Sequence, residues 1–362
     1  MEFVLSEMIE KVMTARASQR PVYIRGGGTK AFYGEPQPDA SHATILDVTP
    51  FTGIVNYEPS ELVLTARAGT PLAEIEDTLA SNRQMLAFEP PRFGASSTIG
   101  GCVSSGLSGP RRMHAGPLRD FVLGTTLLDA SGTVLRFGGE VMKNVAGYDI
   151  TRLLTGSLGI FGPILEVSLK VVPRPLLEET LVLEVDEAEV LHHFNAWRSL
   201  PIPISASAWE SHDGVGLLRL RISGSEPALR AARQKIGGER VDEAAAEDYW
   251  NSLRDQTHPY FQASPLWRLA VPPTTPPLGL GNMLIEWNGG LRWLGDGEVE
   301  PDFVRKAAAR HGGHATLYRY AAPPSVPVFH PVTSGVQAIS RRLKQELDPT
   351  GMFNPGRLSR EL

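Results

Sequence analysis

Three stretches of this 362-residue chain combine glycine with guanidinium, ammonium or hydroxyl side chains at spacings that could do chemistry. The first is Arg25-Gly26-Gly27-Gly28-Thr29, directly after the apolar run Pro21-Val22-Tyr23-Ile24. Glycine reaches positive φ without steric penalty, so this run can turn several N–H groups inward as an anion-binding nest, Arg25 adding a charge-assisted donor and Thr29 a hydroxyl. A phosphate is the natural guest; a tight turn that closes a strand is the plainer alternative. The second stretch, Ser96-Ser97-Thr98-Ile99-Gly100-Gly101, places hydroxyls before paired glycines and suits a diphosphate. The third is Lys143-Asn144-Val145-Ala146-Gly147-Tyr148-Asp149, followed by Gly156-Ser157-Leu158-Gly159-Ile160-Phe161-Gly162-Pro163-Ile164, whose glycine-lined backbone could lie against a flat ring. None has the GxGxxG spacing between strand and helix, or the Gly-Lys-Ser/Thr end of a P-loop. A Rossmann or P-loop protein is therefore not expected.

Other candidate groups are few. Cys102, the chain's one cysteine, excludes an internal disulfide and a Cys-rich metal or iron–sulfur site within this chain. Beside Gly101 it is expected as a small buried residue rather than a redox thiol. Arg310-His311-Gly312-Gly313-His314 reads as a solvated helix-end turn, and no metal site is expected.

Those loops need elements to hold them. The length favours two domains, each able to bury its own core. Apolar residues make up 42% and charged residues 21% of the chain, and the net charge is −5 without a basic block, so nucleic acid is not an expected partner. Val4, Leu5, Met8, Ile9 and Val12 among Glu2, Glu7 and Glu10 predict an amphipathic opening helix, not a signal peptide, and no apolar run approaches the length of a membrane span. A reducing, cytoplasmic location is expected.

Strands are predicted at Thr44–Val48, Glu61–Ala68 and Ile164–Val172, and a hairpin joins 121–128 to 133–137 across Asp129-Ala130-Ser131-Gly132. Thr70 as N-cap, with Pro71 at the first helical position, predicts the start of a helix that runs to about Asn82. Phe88–Gly109 reads as long loops. Pro173 and Pro175 mark a domain boundary, and all six tryptophans fall between Trp197 and Trp293 beyond it. There, strands and helices alternate as an antiparallel α+β pattern, with an Asn288-Gly289 type I′ hairpin and a proline-rich, lid-like loop at 259–281. An amphipathic helix at 332–347 precedes Phe353-Asn354-Pro355-Gly356-Arg357.

The order RGGGT, STIGG, GPLRDFVLG, KNVAGYD with GSLGIFGPI, and FNPGR resembles the FAD-binding domain of the vanillyl-alcohol oxidase/p-cresol methylhydroxylase (PCMH) superfamily. Within it, the chain is similar to the family of glycolate oxidase FAD-binding subunits, over nearly its whole length and least from about 175 to 320. The resemblance implies an α+β fold: a two-lobed PCMH-type FAD-binding domain (1–173), an antiparallel α+β cap or subunit-interface domain (174–325), and a C-terminal helix and NPG segment (326–362) that returns to the flavin side. By the same resemblance Arg25, Gly26, Gly27, Gly28 and Thr29, with Ser97, Thr98, Ile99, Gly100 and Gly101, hold the FAD pyrophosphate. Gly147, Tyr148, Gly156, Gly159 and Ile164 line its adenine or ribose side, and Ser105 and Asp120 complete the set. His114, beside Arg111 and Arg112, falls where relatives pass near the flavin ring and is the candidate base; a basic surface turn is the alternative.

Two departures bear on function. Many members carry a flavin-linked histidine directly after the glycine run, and here that position is Thr29, so non-covalent FAD is expected. Related 2-hydroxy-acid dehydrogenases share an HxGDGNxH stretch and a later Glu-His pair that orient the acid on a metal; His311, His314 and Asp296-Gly297 share fragments but not the spacing. The expectation is a subunit that oxidises glycolate to glyoxylate only with a second flavin subunit and an iron–sulfur subunit, which could also bring it to the inner face of the membrane. A stand-alone oxidase of another small hydroxy acid or alcohol, and an assembly subunit with little catalysis of its own, are the alternatives.

Overall fold

The computed structural model describes residues 1–37, 40–139, 150–295 and 299–362, so the loop with Gly147 and Tyr148 and the Asp296-Gly297 pair lie outside the described residues. Helix Glu2–Ala17 turns Met8, Val12 and Ala15 inward, the spacing of one helical face. They share a core with Val22, Leu46, Met352 and Phe353. Val22–Arg25 pairs in parallel with Thr44–Asp47, and Phe353 bridges Val22 from the far end of the chain. The C-terminal segment is thus bound to the strand that carries the first glycine run.

A second lobe is a five-stranded antiparallel sheet ordered Ile54–Glu58, Val63–Arg67, Ile164–Lys170, Val122–Leu128, Val134–Gly138. Its hairpin closes at Asp129, whose Oδ1 accepts from the N–H groups of Ser131 and Thr133 at 2.8 Å each. Leu72, Ile75 and Leu79 of helix Leu72–Ser81 join Leu64, Val167 and Leu169 in its core.

Two local expectations give way here. Pro71, not Thr70, stands at the helix N-cap, because the Thr70 hydroxyl accepts from the Gly53 N–H at 2.9 Å. The stretch expected as loop, Phe88–Gly109, contains a helix, Ile99–Ser105, whose Thr98 cap accepts from the Gly101 N–H and which ends at left-handed Gly106. Paired glycines weaken a helix, but packing selects the first: a Cβ on Gly100 would stand 2.6 Å from the Ala68 Cβ.

The region from Leu177 to Arg319 forms an eight-stranded antiparallel sheet. One face packs against helices Glu187–Trp197, Glu226–Ile236 and Pro301–Ala309 through Phe194, Leu229 and Val304. The other gathers Ala206, Ala208, Trp293 and Tyr318 against Tyr33, Leu107 and Leu158 of the glycine-loop lobes. All six tryptophans are buried. Strand Leu266–Ala270 runs through the region expected as a lid-like loop, its apolar pattern obscured by flanking prolines. Nor does Asn288-Gly289 make a two-residue turn. Trp287, Asn288 and Gly289 are all left-handed, in a four-residue connection from Glu286 to its cross-strand partner Leu291.

Helix Ser334–Leu347 buries Lys344, which donates to Asp348 Oδ2 at 2.7 Å, to the Phe353 carbonyl at 2.9 Å and to the Ile160 carbonyl. Among the described residues no helix is long and apolar enough to cross a membrane.

Candidate functional site

Strand Val22–Arg25 delivers the glycine run onto the second glycine loop, 69 residues away in the chain. A Cβ on Gly27 would stand 1.5 Å from the Ser96 carbonyl oxygen, and one on Gly26 would stand 2.7 Å from Thr98 Oγ1. The Ser96 hydroxyl fastens the contact by donating to the Gly27 carbonyl at 2.9 Å. Gly28 is left-handed (φ 72), and the Arg25 guanidinium lies over it, with Nε 3.5 Å from where its Cβ would be. This is backbone that only glycine supplies, beside a cation and hydroxyls.

The third loop closes on the same place. Leu158 and Gly159 are left-handed, and a Cβ on Gly159 would stand 2.7 Å from Asn354 Nδ2. Asn354 is buried between the two: its Nδ2 donates to the Leu158 carbonyl at 2.7 Å, while its Oδ1 accepts from the Ile24 N–H at 2.9 Å. Arg357 donates to the carbonyls of Tyr33 and Glu35 at 2.6 and 2.9 Å, fixing the segment after the glycine run.

Between these loops lies a cavity of about 350 Å3. Its lining brings together Arg25, Gly26, Gly27, Gly28, Thr29, Thr98, Gly100, Gly101, Ser105, Gly159 and Ile164 from the expected set. Other members stand elsewhere. Ile99 is a core residue, and Gly156 lies against Gly106. Ser97 faces a neighbouring chamber. Asp120 is exposed at the end of the turn Leu118–Asp120, close to Gly116. His114 sits at the seam with the large sheet, its Nε2 3.2 Å from Asn288 Nδ2. Desolvation, with the Arg111 and Arg221 guanidiniums, lowers its pKa from 6.5 against the Asn288 bond, and the ring lines neither this cavity nor the neighbouring chamber.

Sequence reasoning passes over Lys30, Asn354 and Arg357 as cavity residues. The first follows the glycine motif directly and the other two lie in FNPGR, so proximity to a motif is the signal available. Lys30 Nζ donates to Ser97 Oγ at 2.6 Å, and burial lowers its pKa from 10.5. Two further buried groups stand outside the lining of this cavity. Burial pushes the Cys102 thiol up to about 12, and it pushes Glu286, which accepts from Trp293 Nε1 at 2.7 Å, up to about 7.

Residues 5–138 match a family described as an FAD binding domain. Over 361 residues the chain is 43% identical to glycolate oxidase subunit GlcE of Escherichia coli (strain K12), a match that spans 98% of this chain and 97% of that one. The chain belongs to the GlcE family. Glycolate oxidase subunit GlcD of Bacillus subtilis (strain 168) is 31% identical over 179 residues, which is 49% of this chain and 37% of GlcD. An alkyldihydroxyacetonephosphate synthase superposes with a TM-score of 0.68 at 15% identity, over 99% of this chain and 76% of its own. That likeness shows a shared fold. The cofactor of this GlcE-family chain is FAD. The cavity's donors fit it: a glycine nest, the Arg25 and Lys30 cations and the Thr98 hydroxyl suit a diphosphate, while Tyr23, Ile45, Val48 and Ile164 offer apolar wall.

Proposed function

We propose that this chain is the FAD-binding subunit of a complex that oxidises glycolate to glyoxylate, and that it depends on a second flavin subunit and an iron–sulfur subunit. The observation that carries the reading is the convergence of the Arg25–Thr29, Thr98–Gly101 and Gly159 loops on one cavity, in a chain alike to GlcE from end to end. The single cysteine leaves a thiolate-held iron–sulfur cluster to a partner. The large sheet serves as cap or subunit interface in this reading, with divisions at 173 and 325.

In this reading the backbone N–H groups of Gly26–Gly28 and the Arg25 guanidinium bind the diphosphate, and Thr98, Gly100 and Gly101 support it from the second loop. Gly159 and Ile164 line the nucleotide, and Ile99, Gly156 and Ser97 hold these loops in place. Bound FAD supplies the acceptor for a hydride from the carbinol carbon. His114, held at the seam beside Asn288, is the residue this reading assigns to take the proton of the substrate hydroxyl. Thr29 offers no nucleophilic ring nitrogen, so the cofactor is held without a covalent link.

Anaerobic mixing with glycolate tests partner dependence. The chain alone should keep its flavin oxidised, and addition of the partner subunits should bleach it. Rapid bleaching of the isolated chain would instead select the stand-alone oxidase.

A further inference from the structure

Tyr33 lines the FAD cavity and begins a run of packed rings that leads away from it into the large sheet. Its ring centre lies 5.3 Å from that of Tyr318, which in turn lies 4.9 Å from that of Trp293. These are the spacings of aromatic rings in contact, and all three residues are buried. Phe329 and Phe261 close the two ends, 5.4 Å from Tyr33 and 5.1 Å from Trp293. Phenylalanine gives up an electron far less readily than phenol or indole, so one-electron oxidation along this run falls to Tyr33, Tyr318 and Trp293.

The three differ in what can take their proton. Loss of an electron turns a phenol or an indole into a strong acid, so the vacancy settles where a base stands ready. Burial raises the pKa of both phenols, and the Tyr318 hydroxyl accepts a bond from Gln256 Nε2 at 3.0 Å. Trp293 is placed otherwise, its Nε1–H donating to Glu286 Oε2 at 2.7 Å. Burial lifts that carboxyl to about 7 against the Trp293 bond and Arg268, so it takes up a proton near neutrality. The Arg268 guanidinium lies 5.9 Å from the Trp293 ring centre and opposes a positive charge on the indole, which favours release of the proton.

The geometry points to a light-driven one-electron relay, in which Trp293 gives an electron through Tyr318 and Tyr33 to FAD excited by blue light, and its indole proton passes to Glu286. Trp293 is oxidised and the flavin reduced by one electron. The indole N–H bond breaks as the carboxylate O–H bond forms, and return of the electron reverses both. Such a relay drains the excited state before it attacks the glycine loops. The assignment rests on reading the Arg25–Thr29 cavity as the FAD site.

Flash photolysis of the purified FAD-loaded chain, about one pH unit above the Glu286 value, tests it alongside the lifetime of flavin fluorescence. A neutral tryptophan radical should follow the flash, and the emission should be short-lived. Trp293→Phe should abolish the radical and lengthen the emission. Trp209→Phe is the control, removing a buried indole that lies outside the run and donates to the Val185 carbonyl, and it should change neither signal. Tyr318→Phe keeps the ring and should slow formation of the radical. Glu286→Gln keeps an acceptor for the indole N–H but no base, so the radical should persist as its protonated cation. A parental radical in Trp293→Phe, or a neutral one in Glu286→Gln, overturns the proposal. A parent chain with FAD bound and no tryptophan radical also overturns it and leaves the cofactor reading standing, whereas a chain that takes up no FAD sinks both.

Discussion

Gly27→Ala is expected to purify without bound flavin. The new Cβ would stand 1.5 Å from the Ser96 carbonyl oxygen and 2.4 Å from its carbon, and these are backbone atoms that no rotamer change can move aside. The two glycine loops must part to admit it. Overpacking of this kind costs about 1–3 kcal/mol, and it falls on the contact that shapes the nest. Widening the nest takes aligned N–H donors away from the diphosphate, so FAD affinity should drop roughly 100-fold, ~2.7 kcal/mol. The ratio of flavin to protein absorbance in purified material, and FAD titration of the flavin-free chain, report the effect. Gly335→Ala is the control, since its Cβ meets nothing within 4 Å and the position is helical; it should stay flavin-replete. Parental flavin content in Gly27→Ala would contradict the loop contact as the basis of the cradle.

Glu89→Ala should lower stability by about 1–3 kcal/mol, the cost of losing one partner of a buried charged network, since Arg111 and Arg221 keep Glu178, at 2.5 and 3.5 Å. Arg221 Nη2 reaches both Glu89 oxygens, at 2.7 and 2.9 Å. Arg111 approaches the same carboxylate with its backbone N–H at 2.9 Å and its Nε at 3.3 Å. Arg221 belongs to strand Val215–Gly224 of the large sheet and Arg111 to the glycine-loop half, so this carboxylate pins the two together. Burial alone would raise its pKa, but Arg221 and Arg111 outweigh burial and hold it below 4.5. The unfolded chain therefore binds the proton more readily than the folded one. Stability from Glu89 is fully present above about pH 4.5 and is lost as pH falls through the depressed folded value. Urea denaturation at neutral pH should show the full deficit, and the deficit should shrink in acid. A loss below about 1 kcal/mol would place this group with ordinary surface pairs instead.

The glycine loops are legible in the sequence because glycine clusters state a backbone requirement directly. Gly27 and Gly100 sit where any Cβ would strike a neighbouring segment. The same residues mislead about local structure, since Gly100-Gly101 conceal the helix Ile99–Ser105 that tertiary packing stabilises. Asn354 could not be placed by spacing, because its partners lie 330 and 196 residues away and only the folded chain brings Ile24 and Leu158 together. Lys30 and Arg319 show the same limit: they lie 5.5 and 5.9 Å from the centre of the Phe93 ring, a shared neighbour that only the folded chain provides. Charge pairing hides Glu89 as well, which in sequence is one acid beside two prolines.

The central claim is an intact, unlinked FAD held by the Arg25–Thr29 cavity. Acid denaturation of the purified chain, removal of the precipitate and mass measurement of the released chromophore test it most directly. All flavin should enter the supernatant as FAD, equimolar with the chain. Flavin that stays with the precipitated polypeptide, or a released chromophore with any mass other than that of FAD, would contradict it.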